Sequence, residues 1–181
     1  MKISAFDSDL HAIAVDLARV DVPYLRIIAS PALAQTSPPP VAPETLIRQL
    51  AQHDEPRLRE ALIPLFLRHA DYHRCVPALA CSLDSQAAQT LRHFYTAAVY
   101  LQHLWRSTLG LYLGAFPALP NYFGETEFGL PSPRLHWGEV GLRLLAARFA
   151  AETGDNWLTT YEGAMSRFLA QQQLQIDAVN P

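Results

Sequence analysis

The densest set of side chains able to hold a metal lies in HADYHRCVPALAC, which carries His69, His73, Cys75 and Cys81. Histidines four apart on a helix face the same way, as the ligands of a tetrahedral zinc must. No CxxC pair accompanies them, and two small buried cysteines beside a surface histidine pair account for the same letters, so no metal is assigned. Glu125, Glu127, His136 and Glu139 gather carboxylates and an imidazole around one loop and the start of a helix. Such a set can do general acid–base work, although acids near a helix N-terminus also simply complement its dipole. Gln102, His103 and Arg106 fall in the most apolar part of the chain, where a buried amide or guanidinium needs partners. They are read as a polar core network that pins helix register, or else as the wall of a small-molecule pocket. A Gly-rich phosphate loop, a nucleophile elbow and a dinucleotide fingerprint are all missing, and no cofactor is assigned.

The element that must position these groups is Ser85 to Gly114, SQAAQTLRHFYTAAVYLQHLWRSTLGLYLG, a proline-free run in a chain with 14 prolines. At 100° per residue its apolar side chains cover an arc of roughly 220°, wider than the stripe of a helix on a domain rim. Residues 85–113 are therefore expected to form one long central helix wrapped by its neighbours, with Ser85 as N-cap and Gly114 just past the end. Arg92, Thr96, His103 and Ser107 form its thin polar seam, with Tyr100 and His93 beside it. Phe94 to Phe116 is long enough to span a bilayer, but Gln102, His103 and Arg106 near the midpoint are costly in hydrocarbon, so no membrane role is expected.

Upstream, Leu10, Ile13, Ala14 and Leu17 have the spacing of a short amphipathic helix, Val20–Ile28 reads as an edge strand or extended segment, and Gln35–Pro43 reads as a polyproline-like connector. Residues 1–42 are accordingly expected to be an irregular arm, and 43–181 a helical domain. Pro43 and Glu44 open a helix ending near His53; Asp54 is expected to cap the next, with Pro56 in its first turn and a kink at Pro64. Pro77 to Leu83 makes another short helix. After Gly114 come some twenty residues with no helical period, carrying Phe116, Tyr122, Phe123 and Phe128. A connection this long is often functional. Either these rings fold back onto the helix ends, or they form a patch that binds a partner. Trp137–Glu152 reads as a helix with Val140, Leu144, Ala147 and Ala151 inward, stopped by Gly154. The last helix starts after Asp155 or Asn156, and its Gln171-Gln172-Gln173 end is expected to fray.

Asp54-Glu55-Pro56-Arg57-Leu58-Arg59-Glu60-Ala61-Leu62 resembles the turn and second-helix start of a HEAT repeat. The resemblance, confined to one hairpin over residues 44–69, implies that Asp54 caps the helix and that Arg59 joins a polar ladder to a neighbouring repeat. No second copy appears at a period of about 40, so no solenoid is expected. Arg68 and His73 resemble the R-x4-H motif of HEPN-type helical ribonucleases. That resemblance implies an arginine and a histidine acting on the RNA 2′-hydroxyl and phosphate.

A chain of 181 residues, half of them apolar, can bury a sizeable core. Its net charge of −3 does not suit a general nucleic-acid binder, and two cysteines suit a reducing compartment. Asp7, Asp9 and Asp16 interrupt any apolar signal core, so a cytoplasmic protein is expected. The combined expectation is an all-α bundle of five to seven helices around the central one. Its expected role is that of a non-enzymatic interaction or adaptor module binding a protein partner or a second copy. The alternatives are an HEPN-like ribonuclease using Arg68 and His73, and a small-molecule-binding domain.

Overall fold

The structure is a computed structural model that describes residues 5–22 and 41–179. Its elements are α1 (Ala5–Arg19), α2 (Pro43–Gln52), α3 (Pro56–Glu60), α4 (Leu62–Arg68), a 3-10 turn (Ala70–Cys75), α5 (Val76–Ser82), α6 (Ser85–Leu104), α7 (Arg106–Leu113), a second 3-10 turn (Leu135–Gly138), α8 (Glu139–Thr153) and α9 (Trp157–Val179). Among the described residues there is no strand, and no helix is long and apolar enough to cross a membrane. The expected strand near Val20–Ile28 and the proline-rich connector fall largely on residues 23–40, outside the described residues.

Helix α6 is the axle. Leu91, Phe94, Tyr95 and every residue from Ala97 to Leu101 are buried in it, and α2, α4, α5, α8 and α9 all pack against it. The expected single helix to residue 113 is interrupted at Trp105, whose backbone (φ −104°, ψ 19°) leaves the helical region before α7 resumes. Neither Pro nor Gly marks this break. Asp84 and Ser85 both have the chemistry to lead into this helix, and Asp84 is the N-cap: its carboxylate accepts from the Ala87 N–H at 2.9 Å, satisfying an orphan donor of the first turn. Helix α4 lies between α6 and α9, so Leu62 through Leu67 are buried without a polar face. The kink expected at Pro64 falls at Ala61, because a proline ring crowds the carbonyl four residues back and so ends α3 at Glu60.

One further cap, one face and one helix end differ from expectation. Glu55, not Asp54, turns its side chain onto the Arg57 N–H, and Arg59 Nη2 donates to the Asp54 carbonyl at 3.3 Å within the same hairpin. On α8 the buried residues are Gly141, Leu142, Leu145, Ala146 and Phe149, while Val140, Leu144, Ala147 and Ala151 face solvent. The end of α9 does not fray at the glutamines: the helix runs on to Val179, and Gln172 is buried. At the other end, Ile13, Leu17 and Val22 belong to the same core cluster as α6.

Candidate functional site

The long connection after Gly114 is held against α6 by polar side chains of the axle. Proline carries no N–H, so a proline-rich loop cannot pair its carbonyls in a ladder and must find donors elsewhere. Gln102 Nε2 donates to Pro117 O at 3.1 Å, Tyr95 Oη to Pro120 O at 2.8 Å, and Tyr100 Oη to Pro131 O at 2.6 Å. Gln102 Oε1 also accepts from Leu119 N at 2.8 Å, so this one amide clamps the loop backbone from both sides.

The loop aromatics spend their rings on the same surface. Phe123 is buried, and Phe116, Tyr122 and Phe128 are half-buried against the core. Tyr122 stacks on Tyr95 with centroids 5.7 Å apart and shares a hydrogen bond with His73 Nδ1 at 2.8 Å. These rings fold back onto the helices instead of standing clear as a patch.

The metal-type residues disperse. His69 Nε2 donates to Val20 O at 2.6 Å, Cys75 Sγ donates to Glu44 Oε1 at 3.2 Å, and Cys81 is exposed. Burial, then the Glu44 carboxylate, pushes the Cys75 thiol up to about 11, which keeps it a thiol rather than the thiolate that binds metal. No group of three or more His, Cys, Asp or Glu gathers to hold an ion among the described residues. Arg68 ends α4 and approaches Asp21 at 3.6 Å, whereas His73 lies beyond the break at His69 and turns to Tyr122. The two residues of the R-x4-H pair thus engage different partners.

Where the loop meets the C-terminal end of α6 it leaves a groove of about 790 Å³ lined by His103, Arg106, Leu119, Asn121, Glu125, Arg134 and Trp137 among others. Burial, with the charges of Arg106 and Arg134, holds His103 below the ordinary imidazole value. Neither arginine side chain takes a hydrogen bond or ion pair among the described residues, while Asn121 Nδ2 donates to Glu125 Oε1 at 3.1 Å. Of the acid–base set, Glu125 lines this groove, Glu127 instead approaches Arg92 at 3.5 Å, and Glu139 pairs with Arg143 at 2.9 Å.

The groove gives way to α8 through His136 (φ 48°) and Trp137 (φ 56°), both left-handed, a conformation that bulky side chains rarely adopt. Gly138 follows with φ 84°, and a Cβ there would sit 2.8 Å from Tyr100 O. This turn sets the rotation of α8 and leaves Trp137 72% exposed. Val140 and Leu144 follow at 40% and 48% exposure, with Ala147 and Ala151 in line. The spacing of 4, 3 and 4 residues confines the four to an arc of about 60° at 100° per residue. Arg143 and Arg148, both exposed, flank that stripe on either side. Spacing alone assigns the same stripe to the core, because periodicity identifies an apolar face but not what covers it.

Comparison with known proteins finds no match: no family model fits the chain, and no curated protein or solved structure is significantly similar to it.

Proposed function

We propose that this chain is a helical interaction module that docks an amphipathic helix of a protein partner along the outer face of α8. The observation that carries the reading is that α8 is apolar on two faces, of which the domain buries only one. Val140, Leu144, Ala147 and Ala151 repeat at the 3-4 spacing of a helix–helix seam, large side chains at one end and small ones at the other. On the borders Arg143 already pairs with Glu139, while Arg148 meets no carboxylate among the described residues and calls for an acidic flank on the incoming helix. The loop aromatics, folded onto the core, are not the surface assigned here.

A photo-crosslinking residue at position 144 of the full chain, in its native cells, tests this, with the same residue at Gln89 as control. The expected result is an adduct from 144 alone, mapping to a helix with an acidic flank in a different protein. Adducts only between copies of this chain, equal adducts from both positions, or none would overturn the reading.

A further inference from the structure

The groove between the end of α6 and the loop is a different surface, and its chemistry specifies a different occupant. Arg106 comes from the first turn of α7 and Arg134 from the far end of the loop, and both act electrostatically on His103 between them. Cations that converge without ion-pair partners form an anion site. The groove's carboxylate, Glu125, already accepts from Asn121, and His103 is held toward its neutral form. Two arginines against one carboxylate favour a dianion over a monoanion.

Apart from Asn121 and Ser132, the rest of the lining is apolar: Leu119, Pro120, Pro133 and the exposed indole of Trp137 among others. An indole held out by a left-handed turn is a stacking surface for a planar ring. Glu125 lines the same groove and has a second oxygen able to accept from an amino group. The volume, about 790 Å³, is that of a pocket for a compound of a few hundred daltons.

We infer that this groove binds a small phosphomonoester carrying a planar, amino-bearing ring, a mononucleotide being the simplest member of the class, with Arg106 and Arg134 on the phosphate and Trp137 against the ring. The site is independent of the α8 stripe, so either can fail without the other.

Titration calorimetry of the full chain at low salt, with AMP, adenosine and inorganic phosphate as separate probes, tests the inference. AMP is expected to bind at least tenfold more tightly than adenosine and than inorganic phosphate. Arg106→Gln with Arg134→Gln is expected to weaken AMP at least tenfold while leaving the thermal unfolding midpoint within a few degrees. Leu144→Ser is expected to leave AMP binding as it is, which separates this site from the partner face. Equal binding of AMP and adenosine, equal binding of AMP and phosphate, AMP affinity unmoved by the double substitution, or no AMP binding at all would each overturn it.

Discussion

At the scale of single residues, the buried polar groups show which sequence signals are decisive. Gln102 stands out in the sequence as an amide inside an apolar arc, and the structure supplies its partners from the loop fifteen and seventeen residues away. Gln102→Leu keeps the volume but orphans Pro117 O and Leu119 N, and is expected to cost about 2–4 kcal/mol in urea unfolding. His93 was less legible. Counted with the polar seam, it is in fact enclosed, stacked on Phe149 at 3.6 Å between centroids and hydrogen-bonded to Tyr161. Those partners come from α8 and α9, which local spacing cannot see. Burial lowers its pKa from 6.5 to about 3. The folded state therefore keeps His93 neutral where the unfolded chain takes up a proton. Its contribution is fully present above pH 6.5 and is lost progressively as pH falls from there toward 3, by about 1 kcal/mol per pH unit. Unfolding free energies at pH 7.5, 6 and 5 should fall accordingly. In His93→Phe with Tyr161→Phe, which keeps the rings and leaves no orphan hydroxyl, that part of the slope should vanish.

At the scale of elements, the N-caps were legible to within a residue and the kink near Pro64 to within three, while the rotation of α8 was not. Its sequence carries two apolar stripes, and hydrophobicity alone does not choose between them. The choice is steric. Gly141 admits the Tyr100 ring, whose Cε1 lies 2.0 Å from where a Cβ would stand, so only the Gly141–Leu145 side can close on α6. Gly141→Ala should accordingly cost about 1–3 kcal/mol through overpacking, read as a drop of several degrees in the unfolding midpoint. The break of the axle at Trp105 has no local sequence cause that we identify, and it was invisible for that reason.

At the scale of the whole molecule, the chain wraps one apolar rod with helices on several sides and with a proline-rich loop on another. Breadth of the apolar arc made the rod legible, and aromatic content made the folded-back loop one of two readings. What the sequence did not disclose is the surface left over once the wrapping is complete, since it depends on how each layer is rotated against α6. One face of α8 is closed by the fold, and the opposite face is the one proposed for a partner. Comparing Leu144→Ala with Leu145→Ala in the isolated chain tests that division most directly. Leu145, fully buried, should lose about 2–5 kcal/mol of unfolding free energy, and Leu144, 48% exposed, less than about 0.5 kcal/mol. Equal losses, or a greater loss at Leu144, would contradict the division and the interaction surface built on it.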